Sequence, residues 1–366
     1  MNPTQRLHDL GQSLWLDNIT REMIQKGTLQ RHINELCVTG LTSNPTIYEH
    51  AIESGWYDHA IQAKTVAGLS SEALFFELAI EDLTQAADLF RPAHRATGGT
   101  DGWVSLEVSP LLAHDTARTI EQVRSLHQQA NRPNLFIKIP GTPEGLPAIE
   151  ESIFAGVPVN VTLLFSREQY LAAAEAYQRG IARRIAAGLD PAVGSVASVF
   201  ISRWDKAVQD QVSAALRNRL GIAIAGRTYR AYRELLHTPR SRELAAAGAR
   251  PQRLLWASTG TKDPHASDVL YIEALAAPDT IDTMPDATLL AFAHHGQIRG
   301  TMAEDGGEAE TVLAEFERTG IDLAALAARL QQDGAEAFVK SWKGMLDSIA
   351  AKSEALTAGA GSGARP

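Results

Sequence analysis

The chain has 366 residues, of which 45% are hydrophobic and 21% charged, with a formal net charge of −9. A large apolar core is therefore available, and one barrel with insertions would account for the length. The acidic balance gives no electrostatic reason to bind nucleic acid or an anionic membrane, and no apolar run is long enough to span a bilayer.

In chain order, residues 1–10 are polar and lack the apolar centre of a signal peptide, so a cytoplasmic setting is expected. A first strand is predicted at 14–19, with Leu14 and Leu16 on one face and Trp15 and Asp17 on the other. A second follows at 37–42. The single cysteine, Cys37, lies between Leu36 and Val38 and reads as a core residue; it excludes an internal disulfide and fits a reducing compartment. Thr42 and Asn44 share a face beyond it. A mostly helical insertion spans 46–101 and closes in the loop Thr97-Gly98-Gly99-Thr100.

The third strand, 103–108, sets Val104, Leu106 and Val108 against Ser105, Glu107 and Ser109. The fourth, 135–140, sets Ile137 and Ile139 against Phe136 and Lys138. The fifth, 158–164, sets Val159, Val161 and Leu163 against Asn160 and Thr162. Ser166-Arg167-Glu168-Gln169 has the form of a capping box and opens an Ala-rich helix towards Gly188. A sixth strand is predicted at 195–202, an amphipathic helix at 205–220 and a shorter one at 228–236. The seventh strand, 253–258, runs into Thr259-Gly260-Thr261-Lys262, and the eighth is at 280–284. A last helix is expected at about 334–357, then a flexible Gly-rich tail at 358–366. Without an internal repeat or a dividing linker, residues 1–357 read as a single domain. Eight strands alternating with helices predict an α/β fold, a closed (β/α)8 TIM barrel. That barrel carries a helical insertion between strands 2 and 3 and an extra C-terminal helix. A doubly wound open sheet competes, but no GxGxxG or Walker loop supports it.

Strands in a parallel sheet are ordinarily apolar on both faces. Here several consecutive strands present aliphatic residues to one layer and Asp17, Glu107, Asn160, Thr162 or Lys138 to the other. A single exception is a satisfied core polar group; several imply a shared polar site, which in a barrel lies inside, towards the C-terminal rim. Lys138 has two readings. Its ammonium either snorkels to solvent from a strand end, or is held in an apolar layer where an amine can lose its proton and act as a nucleophile. A free lysine has a pKa of about 10.4, so the unprotonated amine is scarce at neutral pH, a handicap of roughly 4–5 kcal/mol. Desolvation lowers that barrier, whereas carboxylates at Asp17 and Glu107 oppose it, so at least one of them should be neutral in part of the cycle. An amine with two carboxylates and a held water supplies the parts of a metal-free aldol reaction. None of the histidines falls in a ligand-spaced pair on a core strand, and the adjacent His294 and His295 suit a surface. For phosphate, Arg203 at the end of Ser198-Val199-Phe200-Ile201-Ser202 and the loop from Ser258 to Lys262 each have two readings, as an anion site or as an ordinary surface ion pair and turn.

At these segments the chain resembles the transaldolase family, specifically its longer bacterial form. The matching pieces are Thr42-Ser43-Asn44-Pro45-Thr46, Ser105-Leu106-Glu107-Val108-Ser109, Ile137-Lys138-Ile139-Pro140-Gly141-Thr142, Asn160-Val161-Thr162-Leu163-Leu164-Phe165, Ser198 to Arg203, and Trp256 to Lys262. They follow the family's order and span nearly the whole barrel. The resemblance implies reversible transfer of a dihydroxyacetone unit from sedoheptulose 7-phosphate to glyceraldehyde 3-phosphate in the non-oxidative pentose phosphate pathway, without metal or cofactor. It implies that Lys138 forms the Schiff base and that Asp17 is the acid/base at the bond being broken. Glu107 and Thr162 would hold a proton-shuttling water. Thr42, Asn44 and Asn160 would contact the substrate, with Ser198 assisting, and Arg203 and Ser258 would hold its phosphate. Where many members carry an arginine just after the seventh-strand serine, this chain has Thr259-Gly260-Thr261-Lys262, and Lys262 is the cation available in its place. The partners implied are sugar phosphates, and assembly into a homo-oligomer is compatible with the sequence. Two alternatives share the barrel: a sugar-phosphate aldolase that releases its product, and a catalytically silent barrel that only binds sugar phosphates. Keeping Lys138, Asp17, Glu107 and Thr162 together argues against the second.

Overall fold

The computed structural model describes residues 2–65 and 68–362. Its eight strands are β1 Ser13–Asp17, β2 Val38–Thr42, β3 Trp103–Glu107, β4 Leu135–Pro140, β5 Val159–Leu164, β6 Ser195–Phe200, β7 Arg253–Ala257 and β8 Ile281–Met284. They pair in chain order, and β8 returns parallel to β1, so the sheet closes into a barrel. Every strand expected from the sequence is present, with ends shifted by a few residues at most. Three helices, Pro45–Glu53, Asp58–Thr65 and Ser71–Ala96, form the insertion between β2 and β3. Among the described residues, no helix is long and apolar enough to cross a membrane.

Alternation along the strands builds two apolar layers. Leu14, Leu16, Leu106, Ile137, Ile139 and Val161 face the surrounding helices in one buried cluster. Trp15, Trp103, Phe136, Val196, Leu255 and Ile281 belong to a second cluster, inside the barrel. The rings of Trp103 and Phe136 stack at 4.0 Å, and Trp15 lies 6.1 Å from Phe136. These rings plug the lower half of the barrel; burying a phenylalanine-sized side chain contributes roughly 1.5–3 kcal/mol. Gly40 makes room for the plug, because a Cβ there would sit 2.6 Å from the Trp15 ring. The upper half is left to the polar residues.

Several local expectations differ. Cys37, read as a core residue opening the second strand, is half-buried and lies just before β2, where its left-handed conformation (φ 56°) ends the helix Thr28–Leu36 and its thiol donates to Gln5 Oε1 (3.0 Å). Leu163 does not continue the face of Val159 and Val161. It takes a left-handed conformation (φ 58°), the β5–β6 register moves from Val161–Ala197 to Leu164–Val199, and Leu163 joins the cluster of Phe165 and Phe200. The helix expected at 205–220 is broken: one helix spans Ser202–Val208 and another Leu220–Leu236. Asp205 explains the break. Its buried carboxylate accepts hydrogen bonds from the Leu220 and Gly221 N–H groups (2.9 and 3.0 Å) and from the Tyr271 hydroxyl (2.8 Å), so it caps the next helix. The short helix expected at 228–236 is the second half of Leu220–Leu236. Finally, the last helix is longer than expected, Leu323–Ser362. It enters the stretch read as a tail, whose residues 363–366 lie outside the described residues. Trp342, Met345 and Ile349 bury this helix against the insertion, Trp342 meeting Phe75 edge-on at 5.0 Å. Its earlier turns lie across the barrel mouth.

Candidate active site

A cavity of about 730 Å³ opens at the C-terminal ends of the strands. Asp17, Thr42, Asn44, Lys138, Thr162 and Ser198 line its depth, and Arg203, Ser258 and Lys262 line its rim. Glu107 and Asn160 lie behind that lining, each joined to it through a neighbour. The structure thus brings together all the site residues read from the sequence.

Lys138 is 4% exposed, so it does not snorkel to solvent. Its Nζ donates to the Ser43 carbonyl (3.2 Å) and lies 3.4 Å from Glu107 Oε2. Strand register sets this meeting, since Glu107 and Lys138 are directly paired across β3 and β4, and Lys138 and Asn160 across β4 and β5. Burial pushes the Glu107 carboxyl above its ordinary value; the Lys138 charge opposes that shift and Asp17 adds to it. Neither Glu107 oxygen makes a hydrogen bond among the described residues, nor does the buried Thr162 hydroxyl. The ion pair with Lys138 is thus the contact of Glu107 Oε2, and buried oxygens without a hydrogen bond are costly in a core, so they mark a place built for something other than packing.

Asp17 sits across the cavity at the end of β1. Its Oδ1 accepts from the Thr42 hydroxyl (3.0 Å) and from the Asn44 amide (3.4 Å). Asn44 is fixed from the other side, because its carbonyl oxygen accepts from the Ile47 N–H (3.1 Å) and caps helix Pro45–Glu53. Asn160 donates to Ser105 Oγ (3.1 Å) and accepts from Ser198 Oγ (2.7 Å), so Ser198 carries the Asn160 network to the cavity wall.

At the rim, Arg203 makes no ion pair or hydrogen bond among the described residues. Its guanidinium lies over the rings of Phe200 (5.1 Å) and Phe338 (5.9 Å). Burial lowers its pKa, against the attraction of Asp17 and Asp333. Ser258, in a left-handed conformation (φ 56°), pairs with Ser202 Oγ at 3.0 Å. Thr259, which stands where the family's arginine is often found, turns into the wall: its buried hydroxyl contacts Asp282 Oδ1 (2.9 Å) and the Thr283 carbonyl (2.8 Å). Lys262 instead reaches the rim, exposed, from the loop beyond.

Sequence reasoning missed several residues of the cavity. Thr283 was available by alternation on β8, and its hydroxyl is 3.3 Å from that of Thr42. Lys206, also at the rim, follows Arg203 by three residues on one helix and so shares its face. Phe338 and Asp333 come from the C-terminal helix, far along the chain, and nothing local marks them.

Residues 14–349 match the transaldolase/fructose-6-phosphate aldolase family. The chain belongs to that family. It is 43% identical to a transaldolase of Parafrankia sp. (strain EAN1pec), covering 95% of this chain and 97% of the relative. It is 43% identical to a transaldolase of Thermobifida fusca, over 97% of this chain and all of the relative. A transaldolase of Thiobacillus denitrificans is 44% identical, over 95% of this chain and its own full length.

Proposed function

We propose that this enzyme of the transaldolase type works through a Schiff base on Lys138, moving a dihydroxyacetone unit between sugar phosphates. The observation that carries this reading is the buried Lys138 amine, 3.4 Å from a carboxyl that burial pushes towards its neutral form. Burial that favours the protonated form of Glu107 lets it give a proton to a leaving hydroxyl beside the amine.

The Lys138 amine adds to the C2 carbonyl of a ketose phosphate, and the resulting carbinolamine loses water to give a protonated imine. Glu107, through a water held with Thr162, delivers the proton that lets hydroxide leave as water. Asp17 takes the proton of the C4 hydroxyl; the C3–C4 electrons move to the iminium and the aldehyde phosphate departs. The three-carbon enamine stays on Lys138. It attacks the carbonyl of an acceptor aldehyde, Asp17 returns its proton to the new hydroxyl, and water releases the product ketose. Thr42, Asn44, Asn160 and Ser198 orient hydroxyls, while Arg203, Ser258 and Lys262 bind the phosphate. Every group in this scheme is an amine, carboxyl, hydroxyl, amide or guanidinium of the chain. This reading puts the reaction in the pentose phosphate pathway of the cytoplasm, acting on sugar phosphates; membership of the family supports it, and a net charge of −9 gives no electrostatic reason to bind nucleic acid.

The test has two parts. Fructose 6-phosphate with erythrose 4-phosphate should give sedoheptulose 7-phosphate and glyceraldehyde 3-phosphate; free dihydroxyacetone instead would mean an aldolase that releases its intermediate. Borohydride with fructose 6-phosphate should attach a three-carbon unit to the Lys138 peptide. Labelling elsewhere, or full activity in Lys138→Ala, rejects the mechanism.

A further inference from the structure

Thr162, proposed above to hold the shuttle water, is followed by an irregular point of the barrel wall. Leu163 is a non-glycine residue with φ 58°, in a conformation that L side chains rarely adopt and that surrounding structure must hold in place. The β5–β6 register slips around it, so the ladder alone does not fix this turn. The residue that contacts it comes from the C-terminal helix. Gln331 Nε2 donates one hydrogen bond to the Leu163 carbonyl (2.9 Å) and one to the Gly141 carbonyl (3.1 Å). Both hydrogens of the amide are thereby used. Gly141 N–H in turn donates to the Thr162 carbonyl (2.7 Å). The ends of β4 and β5, which carry Lys138 and Thr162, are thus tied to each other and to the helix over the mouth.

The helix is held close for this contact. One turn on, a Cβ at Gly334 would lie 3.0 Å from a Leu163 methyl and 3.2 Å from the Arg203 guanidinium. Further along the same helix, the Phe338 ring lies 5.9 Å from Lys138 Nζ.

We propose that Gln331 is a positioning residue, whose amide locks the left-handed turn at Leu163 and so aims the Thr162 hydroxyl at the Lys138 centre. The inference rests on the Schiff-base reading. Gln331 itself does not line the cavity and need not touch substrate; it acts through the backbone on either side of Thr162.

The test compares Gln331→Met and Gln331→Glu with the unaltered chain. Both keep the side-chain length and remove the two donated hydrogen bonds. The rate at which borohydride traps the Lys138 adduct is measured against fructose 6-phosphate concentration. The saturating rate should fall about tenfold in both variants, the scale of a displaced reacting group, while the half-saturating concentration changes less than twofold. A saturating rate within twofold of the unaltered chain overturns the inference, as does a loss confined to a raised half-saturating concentration. Loss of the folded helical signal by circular dichroism in both variants would make Gln331 a structural support and overturn it too. No adduct at Lys138 in the unaltered chain overturns the Schiff-base reading and this inference with it, whereas an adduct formed equally fast in the variants overturns this inference alone.

Discussion

Arg203→Ala should cost the enzyme its grip on phosphorylated donors while sparing unphosphorylated ones. The structure sets the scale. Among the described residues the guanidinium has no ion-pair or hydrogen-bond partner and rests on the faces of Phe200 and Phe338, at 5.1 and 5.9 Å. Its donors are therefore not committed to a carboxylate, and no rearrangement has to precede phosphate binding. A charge-assisted contact of this kind contributes about 1.5–3 kcal/mol, so kcat/KM for fructose 6-phosphate should fall about ten- to a hundredfold. Arg203→Lys keeps the charge but loses the planar fork and much of the ring contact, worth about 0.5–1 kcal/mol, so it should fall between the two. Lys262 and Lys206 are exposed at the rim and screened by solvent; alanine at either should cost about two- to fivefold, and less as salt is raised. Each variant is assayed with fructose 6-phosphate and with free fructose or dihydroxyacetone as donor. Equal losses on both kinds of donor would mean damage to the rim and refute the phosphate contact. No change in Lys262→Ala would leave the phosphate to Arg203 and Ser258.

Two further predictions separate roles and test burial. Asp17→Asn should still form the trapped adduct yet turn over poorly, whereas Glu107→Gln should slow adduct formation itself, by about 10²–10⁴ for a lost acid/base group; identical defects at the trapping step would reject the division. Asp282 is fully buried, its carboxyl pushed well above its ordinary value by desolvation, with one oxygen lacking any partner among the described residues. A carboxyl whose folded pKa is raised contributes stability that is fully present below its unfolded value of about 3.9 and is lost as pH rises through the folded value. Asp282→Asn cannot titrate, so its melting temperature should gain on that of the unaltered chain by roughly 1–2 °C per pH unit across that window. A difference that stays flat from pH 4 to pH 8 would contradict the buried neutral carboxyl.

What the sequence showed of this site depended on whether the information was local. Alternation along one strand is local, and it was enough to place Lys138 and Glu107 inside and the isoleucines outside. It failed at Leu163, because a left-handed residue cannot be seen in a run of Val-Asn-Val-Thr-Leu-Leu that any strand would accept. It failed at 205–220 for a related reason. The apolar spacing of that segment is helical, but Asp205 is drawn off by the N–H groups of Leu220 and Gly221 and by Tyr271, partners that only the fold supplies. Gln331, Asp333 and Phe338 are on the helix that closes the mouth, and nothing in their own neighbourhood ties them to β4 or β5.

The depth of the lysine is where the local and the distant parts meet. Phe136 and Lys138 are two residues apart on the same face, a rise of roughly 6.6 Å along the strand. Phe136 stacks on Trp103 in the aromatic plug, and Lys138 is the next inward residue above it. The plug therefore gives the amine a dry floor, while Glu107 on the neighbouring strand and Phe338 from the C-terminal helix form its side and roof. A slip of one residue in β4 would turn Lys138 out among the helices and Ile139 in. Trp15, seated against Gly40, which has no side chain to displace it, fills the same aromatic layer from the first strand. The reactivity proposed for Lys138 is in this sense set two residues below it, by the packing that fixes how far into the barrel dry contact extends.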